Sequence, residues 1–345
     1  MTIYDYITAQ ELEVYYSTRA AAQTEPPFLG EELFPNKKQL GLDLSYIKGA
    51  KGLARVLKLS ALDAKALKRD RIGFEKIQTE MPFFKEAMSV DEKARQELLR
   101  VMQTGNQAYI DMVLNKIFDD QMTLIDGASV TRERMRMQLL STGSIVMSSN
   151  GVSVEYDYGV PSNHKVAPTT LWNATGADPI ADITTWQDTI ESDGYARPTR
   201  AITSRKVMRE LAKNDAIKNA IYVLGQGKVT PDENQVRNYI FDKTGLDILV
   251  YEKYYENENG VKTRMIADDL FIMIPEGQLG NTYFGTTPEE ADLLASGIAN
   301  VSIVDTGVAV TTSKLVDPVN VETKVSMISL PSFEAANEII IANVM

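Results

Sequence analysis

The chain holds a single histidine, His164, in "PSNHKVAP", with the hydroxyl of Ser162 two positions before it. Serine, histidine and carboxylate do nucleophilic chemistry only when all three converge in space, and neighbours within one loop rarely do so. The plainer reading of His164 is a loop residue with no chemical role. Asp268 and Asp269 in "IADDLF" offer two carboxylates to a magnesium ion. Successive side chains of a strand point to opposite faces, however, and an acidic turn explains the pair better. "GQGKVT" at 225–230 lacks the spacing of a phosphate loop or a dinucleotide fingerprint. Asn173-Ala174-Thr175 has the glycosylation pattern without a secretory context. Tyr254 and Tyr255 flank "ENENG", where aromatics more often pack across a hairpin than bind a ligand. No catalytic, cofactor-binding or metal-ligating constellation results, and an enzyme is not expected.

Charge gives a sharper signal. Residues 48–76, "KGAKGLARVLKLSALDAKALKRDRIGFEK", carry nine Lys or Arg and three Asp or Glu, in a chain of net charge −11. Three readings compete: a nucleic-acid arm, an ordinary solvated helix with partial apolar spacing at Leu53, Val56 or Leu57, Ala61 and Leu62, or an arm that docks on an acidic copy of the same chain. The acidic remainder opposes general nucleic-acid affinity, which needs clustered cations. The first residues, "MTIYDYITAQELEVYY", are acidic where a signal peptide is basic and then apolar. Without cysteine there are no disulfides or thiolate metal sites, and cytoplasmic synthesis is the simplest expectation. No apolar run reaches the roughly 18 residues of a membrane span.

The elements that must carry this segment read as follows. Residues 2–22 form one or two short helices, and "EPPFLGEELFPNKK" is an arm broken by prolines at 26, 27 and 35. Leu40, Leu42, Leu44 and Tyr46 alternate at period two, a strand with one buried face. "RIGFEKIQTEMPFF" is a returning strand closed by Pro82, so the basic segment is the tip of a long hairpin-like excursion. "SVDE" at 89–92 has the form of a capping box. From it a helix over 89–125 follows through Leu98, Met102, Tyr109, Val113 and Ile117, bending gently at Gly105 and stopped by Gly127. Such a helix is roughly 50 Å long. A shorter helix near 131–141 and a hairpin turning at Asn150-Gly151 come next. From 179 to about 310 helices and strands alternate. The end, "VETKVSMISLPSFEAANEIIIANVM", is extended and is expected to rejoin the sheet of the 143–158 hairpin.

In this order the parts resemble the major capsid proteins of tailed bacteriophages, specifically the phage lambda major head protein family, with its Hong Kong 97-type α+β fold. "EELFPNKKQLGLDLSYIKG" is similar to that family's arm-to-loop junction, and "EMPFFKEAM" to the loop's return into its spine helix. "RAITSRKVMREL", "LDILVYEKYYENENGVKTRMIADDLFIMIPEG" and "VETKVSMISLPSF" resemble further segments of the family in sequence order.

The resemblance implies an N-terminal arm over 1–38 and an extension loop over 39–84. It also implies a peripheral domain over 85–160 with the spine helix, an axial α/β domain over 161–310, and a return to the peripheral domain over 311–345. It implies a head protein that assembles through pentamers and hexamers into an icosahedral shell around double-stranded DNA, without sequence-specific binding and without a membrane. Expected partners are a separate scaffolding protein, a portal protein and a decoration protein. The site expected is an inter-subunit one: Lys58, Lys65, Lys68, Arg69 and Arg71 of the loop, facing Asp91 and Glu92 or Asp119 and Asp120 of a neighbour. The virion is the expected location, after assembly in the host bacterial cytoplasm. The alternatives are an encapsulin-like compartment of the same fold, a cytoplasmic α/β enzyme and a nucleic-acid-binding protein.

Overall fold

The structure, a computed structural model, describes residues 6–22, 28–48, 75–149, 151–222, 230–293, 300–317 and 319–345. The chain opens with α1 (Ala9–Ala22), α2 (Leu29–Leu33), β1 (Asn36–Lys38), β2 (Asp43–Lys48), β3 (Glu75–Glu80) and β4 (Phe83–Ser89). Two helices follow, α3 (Glu92–Thr104) and α4 (Gln107–Thr142), then β5 (Ser144–Ser149), β6 (Val152–Asp157) and β7 (Lys165–Val166). Next come α5 (Pro179–Ser192), β8 (Arg200–Thr203), α6 (Arg205–Lys213), α7 (Asp215–Ile221), α8 (Glu233–Thr244) and β9 (Asp247–Val250). The strands β10 (Tyr254–Glu256), β11 (Lys262–Arg264), β12 (Leu270–Ile274), β13 (Thr282–Phe284), β14 (Asn300–Val304), β15 (Val308–Val316), β16 (Val319–Pro331) and β17 (Ile340–Asn343) complete it. Two compact units result. The first is Met1–Ser45, Gln78–Met135 and Asn281–Ser332; the second is Tyr46–Ile77, Arg136–Gly280 and Phe333–Met345.

The first unit is built on β16, which pairs antiparallel with β15 along its length. It also pairs antiparallel with β4 from Glu322 to Ile328 and with β13 from Ser329 to Pro331. β14 extends the sheet beyond β15, and β1 joins β13 in parallel. Leu12 of α1 and Leu98, Ile117 and Met122 of the long helices bury their side chains in one core with Val310, Val321 and Val325 of the sheet. Arg132 and Glu133 of α4, both charged, are also buried in this unit. Arg132 pairs with Asp305 and lies 5.3 Å from the centre of the Phe284 ring, and Glu133 accepts from the Gly30 amide at 3.1 Å.

The second unit centres on a five-stranded sheet in the order β7-β17-β12-β8-β9. Its core includes Trp172, Ile183, Val207, Leu211, Ile240 and Phe271. Trp172 stacks on Trp186 at 5.9 Å, meets Phe271 edge-on at 5.0 Å and donates its indole N–H to Asp182. Asp232 and Gln235 form a capping box at the start of α8, and Gly245 closes that helix in the left-handed conformation.

Several expectations need correction. The helix does not begin at Ser89, because Ser89 is the last residue of β4 and pairs with Glu322. The Glu92 carboxylate, which a capping box would need, is taken by Arg95 and Gln96 instead. Nor is the helix continuous. Gly105 adopts φ +67 and caps α3, and α4 starts two residues later. Gly127, expected as a stop, lies inside α4, which absorbs the expected 131–141 helix and ends at Gly143 with φ +76. Its 36 residues span about 54 Å. The period-two stripe holds only at Leu44 and Tyr46; Leu40 and Leu42 precede β2 and are exposed, beside Gly41 at φ +90. Finally, the 143–158 hairpin forms a two-stranded sheet of its own, while the terminal segments pair elsewhere: β16 with β4, β13 and β15, and β17 with β7 and β12.

The two glycines make opposite predictions. A Cβ at either position meets nothing within 4 Å, but only Gly105 is left-handed. Gly127→Ala should therefore raise the unfolding free energy by roughly 0.5–1 kcal/mol. Gly105→Ala should lower it by about 1 kcal/mol, the cost of the left-handed region for a residue with a Cβ. Denaturant midpoints of the two variants check this, and shifts of the same sign would contradict it.

Candidate functional site

A cleft of about 240 Å³ opens in the first unit where β4 hands over to α3 and passes α4. Its walls come from residues 88–91 and from Ile117, Asp120, Gln121 and Thr123. The sheet holds the first wall in place. The Val90 amide donates to the Val321 carbonyl, and the Asn320 side-chain amide donates to the Val90 carbonyl at 2.9 Å. Val90 is itself buried, so the chain cannot slide, and Asp91 is fixed as the N-cap of α3 with no hydrogen bond from its side chain to the helix. The second wall is the apolar stripe of α4, where Ile110, Val113, Ile117, Leu124 and Ala128 recur at helical spacing. Gln121 interrupts that stripe. It is 1% exposed, and its Oε1 has no hydrogen-bond partner among the described residues.

The expected acidic residues fall into two groups. Glu92 is already satisfied within the chain, and the Arg95 hydrogen bond, helped by Gln96, holds its carboxyl below the usual range. Asp119 accepts the Tyr15 hydroxyl at 2.7 Å, a bond that raises the tyrosine's pKa. Asp91 and Asp120, by contrast, are exposed and both line the cleft. Neither carboxylate makes a hydrogen bond or ion pair among the described residues. Lys58, Lys65, Lys68, Arg69 and Arg71 lie outside the described residues, as does the partial helical spacing around them. Sequence reasoning missed Gln121. Its one visible signal is a polar residue where the α4 pattern calls for an apolar one.

The other candidates have structural roles. His164 is no idle loop residue: it is fully buried, and its Nε2 sits 2.9 Å from Asp193, which also accepts from Asn163. The His164 hydrogen bond is the main cause that lowers the Asp193 pKa. No hydrogen bond joins Ser162 to His164 among the described residues. Asp268 pairs with Arg264 at 2.8 Å. Tyr254 takes Lys262 and Arg264 against its ring at 4.5 and 4.8 Å, packing across the β10–β11 hairpin. "GQGKVT" lies almost wholly outside the described residues. Among the described residues no three metal-ligating side chains gather, and no helix is long and apolar enough to cross a membrane.

An interrupted long helix against a sheet closed by distant segments, with a separate α/β unit, is the Hong Kong 97-type fold of phage capsid subunits. Solved structures bear this out at the level of fold. A protein assigned as the capsid protein of an Escherichia coli CFT073 prophage superimposes with a TM-score of 0.61 at 14% identity, covering 98% of this chain and 99% of that one. A phage-related protein from Bordetella bronchiseptica RB50 gives 0.58 at 13% identity, covering 98% and 97%. The capsid subunit of cyanophage A-1(L) gives 0.51 at 13% identity, with 93% of each chain covered. The chain belongs to the family of phage major capsid protein E, whose model matches residues 17–344. It is a structural protein of a phage or prophage capsid shell, and so a component of the virion.

Gln121 yields a prediction about the isolated subunit. A buried acceptor left without a partner costs about 1–3 kcal/mol, and methionine fills a similar unbranched volume without one. Gln121→Met should raise the unfolding free energy of the unassembled chain by roughly 1 kcal/mol, read as a higher denaturant midpoint. A lower midpoint would mean that Oε1 is satisfied in the free subunit.

Proposed function

We propose that copies of this chain assemble through pentamers and hexamers into an icosahedral shell that encloses a double-stranded DNA genome. The observation that carries this reading is the family match across residues 17–344, over a fold shared along almost the whole chain. The role is non-catalytic. In this reading residues 1–38 are the N-terminal arm, 39–84 the extension loop, 85–160 the peripheral domain and 161–310 the axial domain. Residues 311–331 return to the peripheral sheet, whereas β17 completes the sheet of β8 and β12. Assembly takes place in the host bacterial cytoplasm with a separate scaffolding protein, a portal protein and a decoration protein as partners. The acidic surface keeps the enclosed DNA from adhering to the inner wall, and DNA is held without sequence preference. Negative-stain microscopy and sedimentation of the expressed chain, alone and with its scaffolding protein, test the reading. Shells, tubes or capsomers support it; a monomer under every condition would sink it.

Within such a shell the basic segment docks on acidic residues of an adjacent copy. Opposite charge steers association and fixes register, although each exposed pair contributes at most about 1 kcal/mol. Single Lys→Ala changes should therefore matter little. Reversing Lys68, Arg69 and Arg71 together to Glu should block assembly while the subunit stays folded. Circular dichroism against particle yield checks this, and a normal yield would return the segment to an ordinary solvated surface.

A further inference from the structure

Four carboxylates were candidates for the docking partner, and the structure separates them. Glu92 is engaged by Arg95 and Gln96, and Asp119 by Tyr15. Asp91 and Asp120 remain, and they share one cleft. We infer that this cleft is the receptor for a single lysine or arginine side chain from residues 48–76 of a second copy of this chain. The inference rests on the shell reading above and deepens it by naming the seat.

The chemistry of the walls selects a cation on an alkyl stem. The charged groups are both acidic, and Gln121, which lines the same cleft, has a buried Oε1 that can only accept a hydrogen bond. Met88 and Ile117 offer apolar surface on the same walls. A lysine or arginine fits that mixture, laying its methylenes on apolar surface while its charged head finds acceptors. Size agrees. About 240 Å³ falls below the roughly 300–1,000 Å³ of small-molecule pockets, yet holds several times the ~30 Å³ share of one water. A bare metal ion fits poorly, because among the described residues no three metal-ligating side chains gather, and Met88 and Ile117 line the cleft beside the two carboxylates.

Charge supplies the occupant. The chain is acidic except for its basic segment, so the most concentrated source of cations available to a copy of this protein is another copy's residues 48–76. An inserted head would satisfy Gln121 Oε1, which the isolated unit leaves open at a cost. The same residue then penalises the free subunit and favours the assembled one.

The test uses the full chain. The Asp91 side chain makes no capping hydrogen bond, so Asp91→Asn with Asp120→Asn should leave α3 and the circular dichroism unchanged. At a concentration where the parent assembles, this double variant should lose at least tenfold in particle yield. Glu92→Gln with Asp119→Asn should assemble like the parent. Gln121→Met should lower particle yield even as it stabilises the subunit. In particles mixed from ¹⁴N and ¹⁵N subunits, carbodiimide should join Asp91 or Asp120 of one copy to Lys58, Lys65 or Lys68 of the other, as read by mass spectrometry. Normal yield from the Asp91/Asp120 variant, equal loss from both double variants, cross-links from those lysines only to other carboxylates, or loss of particles on adding EDTA would each overturn the inference. The first three leave the shell reading standing. Failure of the parent itself to assemble would bring down both.

Discussion

Backbone hydrogen bonding along both edges of β16 is the constraint on which the first unit depends. β4, β13 and β15 all pair with it, so segments from 83–89, 282–284 and 308–316 meet on a single strand. Residues 325–331 of that strand are all buried, and most of their polar backbone has no water to turn to. Every partner must therefore arrive in register or leave costly orphans. The same register delivers Val90 to Val321 and so decides where α3 begins and which way Asp91 faces. A feature at the surface is thus set by the most interior strand of the unit.

Polar groups buried on α4 show two different solutions to one problem. Arg132 has a carboxylate, a serine hydroxyl and an aromatic face around it, and Glu133 has a backbone amide. Removing one side of such a pair strands the other and is strongly destabilising, commonly by about 3–5 kcal/mol. These residues hold the unit together. Gln121, three turns earlier on the same helix, has no such answer for its Oε1. An unpaired buried group of this kind calls for an explanation beyond folding, and a surface shared between copies provides one.

Much of the chain was readable from its residues because the signals were local. The strand-turn-strand at Gly151, the helices at 179–192, 205–213 and 233–244, and the β10–β11 hairpin all follow from periodicity and turn chemistry within about a dozen residues. The long helix was legible in kind but not in its limits. Glycine is permitted in both right- and left-handed helical regions, so periodicity could not tell that Gly105 breaks the helix while Gly127 continues it. The capping-box pattern at Ser89 was equally ambiguous, since a strand pairing with Glu322 claimed that residue first. Strand partners were illegible because many lie far apart in the chain, Ser89 opposite Glu322 among them. At the site, the two free carboxylates stood out as charges, but only packing distinguishes them from Glu92 and Asp119, whose partners lie on neighbouring turns and on α1.

The seating of β17 between β7 and β12 bears on time as well as on shape. Its residues 340–343 pair with 165–166 on one side and 270–273 on the other, so the middle of the sheet in the second unit waits for a segment about 70 positions beyond β12. Until those residues emerge, β12 has one open edge bearing Phe271, Ile272 and Met273, a sticky template of the kind that invites pairing with the wrong chain. Contacts this far apart in sequence also form slowly. A nascent subunit therefore carries an unfinished, adhesive sheet edge between the synthesis of β12 and that of β17, an interval in which crowded chains can pair wrongly.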